Sequence, residues 1–157
     1  MRQAPALALL FLLLAGCQAV ADDPAPLDPL TLARTGRPND ALLCPKGEGC
    51  AAEPDGEVPW YPVDPAALLE AWRAVLEATP RVDLDRDAGG NRLAGAARSR
   101  VFGFVDRFAV RVVGDVGRSS YVAYSRALQG YYDFGVNKRR LEGWRGTVAA
   151  RLPPPSP

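Results

Sequence analysis

Histidine is missing from this 157-residue chain, and lysine occurs only at Lys46 and Lys138. Without histidine there is no Ser-His or Cys-His catalysis, and the commonest zinc ligand is gone. Serine with lysine as base is an alternative, but neither lysine follows a serine by three residues, so the S-x-x-K spacing is absent. Three cysteines cannot build a thiolate zinc site without help from carboxylates. Charge of either sign is not in excess: 19 basic residues face 18 acidic ones, which gives no field to attract nucleic acid. No apolar run approaches the roughly 20 residues that span a bilayer. What is present suits one folded domain with appendages, since 48% of residues are hydrophobic and 24% charged. Neither a metal nor a cofactor is expected from these residues.

The N-terminus carries the most specific signal. Met1-Arg2-Gln3 is a short basic start, and Ala6 to Leu14 is an apolar core of nine residues. That length fits a secretory signal rather than a membrane span. Small residues follow, ending in Leu14-Ala15-Gly16-Cys17. This order resembles the bacterial lipobox. The resemblance implies that residues 1–16 are a signal peptide cleaved before Cys17, and that Cys17 is acylated on its thiol and on its new amine. Losing Arg2 leaves equal numbers of basic and acidic side chains. A neutral chain has little electrostatic pull toward anionic headgroups, so the lipid would hold it. Each buried CH₂ contributes ~0.8 kcal/mol, and two chains already anchor stably. Gln18, rather than Asp, resembles the pattern sorted to the outer membrane. The expected location is the cell envelope, on the outer membrane facing the periplasm.

Residues 17–38 are rich in Ala, Pro and Asp and read as the lipidated cysteine plus a flexible linker. A single domain is expected over 39–151, and the Pro-rich tail 152–157 reads as disordered. Cys44 and Cys50 flank Pro45-Lys46-Gly47-Glu48-Gly49, a segment able to turn back on itself. In an oxidising compartment the natural reading is a disulfide, with metal binding as the competitor.

Asp64-Pro65 opens the clearest helix, with Asp at the cap and Pro at the first helical position. Leu68, Leu69, Trp72, Val75, Leu76 and Thr79 form its apolar stripe, and Pro80 ends it. Period two then takes over in four segments: from Arg81, from Arg92, around Phe108-Val110-Val112, and over Ser120–Arg126. A last helix from about Val136 to Ala150 turns Asn137, Leu141, Trp144 and Val148 inward. The expected class is α+β: an antiparallel sheet of about four strands with two amphipathic helices on one face, in the order helix, four strands, helix. The other sheet face is left for a partner or for solvent.

Asp83, Asp85 and Asp87 begin like a calcium loop, but the sixth position is Ala88 and the twelfth Ala94, where Gly and Glu are needed. Alternation with Val82 and Leu84 makes these acids the wet side of a strand. Two stretches carry more than scaffold: Arg98–Asp106, and Ser125-Arg126 followed by Gly130-Tyr131-Tyr132-Asp133-Phe134-Gly135-Val136-Asn137-Lys138-Arg139-Arg140. With Arg37-Pro38-Asn39-Asp40 and Cys44-Pro45 they resemble the domain-of-unknown-function 1499 family, found in bacterial envelope proteins and some plastids. The resemblance covers about residues 37–150 and implies no established activity. Two readings of Arg100, Asp106, Arg126, Asp133, Asn137 and Arg140 compete: a polar pocket at one end of the sheet, or a brace for that corner. In the brace, Asp133 accepts from free N–H groups where the last helix begins, and Arg140 bridges to a carboxylate. The function expected is a lipid-anchored, non-catalytic envelope module that meets another protein, a glycan or a lipid. The alternatives are a carboxylate hydrolase acting on envelope polymer and a carrier of a hydrophobic ligand.

Overall fold

The computed structural model describes residues 27–85 and 89–156. In chain order the elements are β1 (Asp40–Pro45), β2 (Gly56–Val58), α1 (Pro65–Glu77), β3 (Val82–Leu84), β4 (Arg92–Arg98), β5 (Val105–Asp115), β6 (Arg118–Ala127) and α2 (Val136–Ala149). All six strands join one sheet in the order β2-β1-β6-β5-β4-β3. Every pairing is antiparallel except β1 with β2, which is parallel. The expected four-stranded antiparallel sheet, opened by a helix, is therefore corrected: the sheet is six-stranded and mixed, and two strands precede α1.

The reason lies in β1. Ala41 and Leu43 enter the core beneath the helices, while Leu42 enters a second core on the opposite face. A strand covered on both faces shows no polar alternation, and Asp40-Ala-Leu-Leu-Cys-Pro is too short to stand out as an apolar run. β2 has only three residues and no pattern to read.

Both helices lie on one face. Leu68, Trp72, Val75 and Leu76 of α1, with Leu141, Trp144 and Val148 of α2, pack on Phe108, Val110, Val112, Tyr121 and Ala123. Trp72 meets Tyr121 edge-on at 4.8 Å, and Trp144 meets Phe108 at 5.0 Å. Gly95 makes room for the second pair, since a Cβ there would lie 2.7 Å from the Phe108 ring and 2.3 Å from the Asp83 carbonyl oxygen. Asp64 stands at the α1 cap position, yet its carboxylate accepts from the N–H of Gly117 at 2.6 Å instead of capping the helix.

The opposite face is covered as well. Leu27, Leu30 and Leu32, from the stretch read as linker, pack with Leu42, Val122 and Tyr124. Ion pairs fasten this segment: Asp28 to Arg111, and Arg34 to both Asp40 and Asp55. The packed unit thus begins by Leu27. At the other end, Leu152 packs on the core and the N–H of Ser156 donates to the Trp60 carbonyl at 2.9 Å, so the Pro-rich tail is held as far as that residue. Cys44 and Cys50 are joined in a disulfide with Cα atoms 6.5 Å apart.

Candidate functional site

Four of the six polar residues meet where α2 leaves the end of the sheet. Asp133 lies two residues before the Gly135 cap position of α2. One of its oxygens accepts from the N–H of Gly135 at 2.7 Å, the other from the N–H of Asn137 at 2.8 Å. These are donors that a helix start leaves without intrahelical partners. The Asn137 side chain is fully buried. Its amide donates to Asp133 at 2.8 Å and to the Asn39 carbonyl at 3.2 Å, and its oxygen accepts from Ser125 and from Arg140. Arg140 then reaches Asp106 on β5 at 2.6 Å. Burial is the main influence on Asp106 and raises its pKa. The Arg140 charge opposes that shift, and Asp133 adds to it.

Arg126 is not in this corner. Residues 106, 108 and 125 face the helices, so their neighbours face the other side. Arg126 lies beside Tyr124 on that second face, one residue out of phase. Arg100 is exposed on the β4–β5 loop and makes no hydrogen bond or ion pair among the described residues. Cys17 lies outside the described residues, as do Asp87 and Ala88 of the calcium-like stretch. Asp85 is paired with Arg107.

The sequence reading missed the aromatics above the corner. Among the described residues eight large apolar side chains are exposed, and seven of them sit on two loops: Val101, Phe102 and Phe104 after β4, and Tyr131, Tyr132, Phe134 and Val136 before and at the start of α2. Phe102 and Phe104 stack at 5.5 Å, and Tyr132 meets Phe134 edge-on at 4.9 Å. Between the two pairs lies a mostly apolar cavity of about 320 Å³. Asp106 and Asp133 form part of its lining. The signal was available: F-G-F and Y-Y-D-F-G place five of the chain's aromatics in two loops, where no strand or helix could bury them.

The β4–β5 loop is closed on itself. The Ser99 N–H donates to the Phe104 carbonyl at 2.8 Å, and the Ser99 hydroxyl accepts from the Phe104 N–H at 3.0 Å. The second loop is anchored by Asn39, whose amide donates to the Gly130 carbonyl at 2.8 Å. Phe134 has φ of 55°, a left-handed conformation costly for a bulky residue. Its carbonyl accepts from Arg139 at 2.8 Å, and Asp133 holds the N–H of Gly135 just beyond it.

The sequence matches the family described as Protein of unknown function (DUF1499) over residues 26–148. The chain belongs to this family. The match begins one residue before the packed segment at Leu27, so the family's domain takes in the stretch that covers the second sheet face. No curated protein matches the chain significantly.

Proposed function

We propose that this DUF1499 protein is a lipid-anchored, non-catalytic binding module of the bacterial cell envelope, held at Cys17 on the outer membrane and facing the periplasm. The aromatic-walled cavity between the two loops is its binding site. One observation carries the reading: five exposed apolar side chains, Phe102, Phe104, Tyr132, Phe134 and Val136, line a single cavity above a polar corner whose groups are already satisfied. Exposed apolar clusters of this kind mark interaction sites, whereas scattered ones mean nothing. The left-handed Phe134 fits the same view, because backbone strain gathers at ligand-holding segments. Export is supported by the lipobox-like Leu14-Ala15-Gly16-Cys17 and by the disulfide between Cys44 and Cys50.

The hydrolase reading has one observation in its favour, since Asp106 and Asp133 line the same cavity. Both are committed elsewhere, Asp106 to Arg140 and Asp133 to the start of α2. A general acid or base must be free to reach the proton it moves.

The test uses N-phenyl-1-naphthylamine, a neutral apolar dye that brightens when it leaves water. The mature chain should bind it, and Phe102→Ser with Phe134→Ser should abolish binding while unfolding at an unchanged urea midpoint. Dye binding untouched by both changes would remove the cavity from consideration. The anchor is tested separately: Cys17→Ser should move the protein from the membrane fraction to the aqueous phase, and wild-type protein found wholly in the aqueous phase would refute it.

A further inference from the structure

The aromatic cavity has a neighbour. A second hollow of about 450 Å³ adjoins it, and the two share Ser99, Phe102 and Val136 in their walls. The linings differ sharply. The first is walled by Phe102, Phe104, Tyr132 and Phe134, the second by Arg81, Arg98, Arg100 and Arg140. Among the described residues no acidic side chain lines the second hollow. Arg140 is neutralised by Asp106, and Arg98 stands 3.8 Å from Asp83, an exposed and weak pairing. The Arg81 and Arg100 side chains have no hydrogen bond or ion pair among the described residues. The second hollow is therefore a cationic surface with unspent donors, and it shares walls with an apolar one.

Backbone strain points to the same pair of hollows. Among the described residues two that are not glycine adopt positive φ, Arg81 at 61° and Phe134 at 55°. Each lines one of the two hollows. Each stands at a central position of a tight turn, Arg81 after Pro80 and Phe134 before Gly135, the second turn closed by the Val136 N–H on the Asp133 carbonyl at 3.1 Å, and each turn carries a large side chain where glycine or asparagine is usual.

Resting on the binding-module reading, we propose that the ligand is a single anionic amphiphile. Its acyl chain lies in the aromatic cavity, and its phosphate or carboxylate headgroup sits over Arg81 and Arg100. A neutral apolar compound would leave the guanidinium groups unused. A free anion would leave the aromatic walls wet. Only a molecule with both parts matches both surfaces, and guanidinium forks suit phosphate and carboxylate oxygens.

The experiment uses the chain from residue 17 with Cys17→Ser, exported by a non-lipid signal so that the disulfide forms. The packing described above lies within residues 27–156, so this chain carries all of it. Calorimetric titrations below the critical micelle concentration compare dodecyl phosphate, dodecyl maltoside and inorganic phosphate. Dodecyl phosphate should bind about tenfold more tightly than the maltoside, as expected when an alkyl chain adds charge-assisted hydrogen bonds. Inorganic phosphate should give no measurable binding. Arg81→Gly, which suits the positive φ, combined with Arg100→Gln should erase the preference and leave maltoside binding unchanged. Phe134→Gly should weaken both amphiphiles. Equal binding of phosphate and maltoside compounds by the unmodified chain would overturn the headgroup proposal and spare the apolar cavity. Binding of neither would overturn both. Binding of inorganic phosphate as tight as that of dodecyl phosphate would also overturn it, by making the site an anion site alone.

Discussion

Arg140 and Asp106 meet at 2.6 Å across the junction between the last helix and the sheet, and both side chains are largely shielded from water. Removing the arginine alone strands a buried carboxylate, so Arg140→Ala should cost about 3 kcal/mol. The Arg140→Ala, Asp106→Ala double variant should lose clearly less than the sum of the two single changes. The pH dependence has a definite sign. Burial raises the Asp106 pKa above that of the unfolded chain, and the folded state keeps this proton to higher pH. Stability from such a group is full below the unfolded pKa of about 3.9 and is lost as pH rises through the folded value. Arg140 opposes the shift, so its loss enlarges it. The deficit of Arg140→Ala should shrink as pH falls from about 7 toward about 4. Urea midpoints across that range decide it, and a deficit independent of pH would contradict the pairing.

Asp133 and Asn137 hold the start of α2 in a way that separates two kinds of damage. Asp133→Ala removes acceptors from two helix N–H groups and should cost about 0.5–2 kcal/mol. The Gly135 residue is only half-buried, so water can partly replace the carboxylate there. Asn137 is fully buried, and its amide answers Ser125, Arg140, Asp133 and the Asn39 carbonyl. Asn137→Leu leaves several of these unpaired and should cost more, about 3 kcal/mol, since each buried unsatisfied group costs roughly 1–3. Equal losses in chemical denaturation would mean that Asn137 is less central than its contacts indicate.

Much of this corner was legible because helical and strand periods fix which residues share a face. Asn137, Leu141, Trp144 and Val148 do form the buried stripe of α2. Arg126 was misplaced because strand period is two, and a reading by proximity to Ser125 ignores that neighbours point apart. β1 was invisible for the opposite reason: covered on both faces, Ala41-Leu42-Leu43 carries no alternation. Its second cover is the segment from Leu27, whose prolines and acids look like linker. Those acids include Asp28, which is spent on Arg111, a partner 83 residues away that no local pattern reveals. The cationic hollow draws Arg81 and Arg98 from strands β3 and β4 and their approaches, and only pairing of Val82 with Ala97 brings them together.

Gly95 is buried in the middle of a strand, where glycine is otherwise unfavourable. Its role is to admit the Phe108 ring, which in turn meets Trp144. A methyl group there would lie 2.7 Å from the ring and 2.3 Å from a backbone oxygen of β3. The ring could turn, but the backbone oxygen cannot yield without moving the edge strand. Gly95→Ala should therefore destabilise by about 1–3 kcal/mol, the usual range for overpacking. Near-UV circular dichroism should show a changed Trp144 environment alongside a lower urea midpoint. An unchanged midpoint would mean that β3 is loose enough to shift.

Two buried tyrosines should respond oppositely to loss of their hydroxyls. The Tyr124 hydroxyl donates to Asp40 at 2.9 Å, and Asp40 is also held by Arg34. Tyr124→Phe removes a hydrogen bond to a charged acceptor and should cost about 1.5–3 kcal/mol. The Tyr121 hydroxyl is buried with no hydrogen-bond partner among the described residues. Tyr121→Phe removes a polar group that burial penalises, and should be neutral or stabilising by about 1 kcal/mol. Burial raises the pKa of both phenols, so neither ionises in the folded state near the ordinary value of about 10. The unfolded chain does ionise there, and stability falls as pH rises above that value. Each Phe variant should lose one titrating group from this alkaline decline, making its slope shallower than that of the unmodified chain. Urea midpoints at neutral pH and at about pH 11 test both parts. A destabilised Tyr121→Phe would show that its hydroxyl has a partner after all.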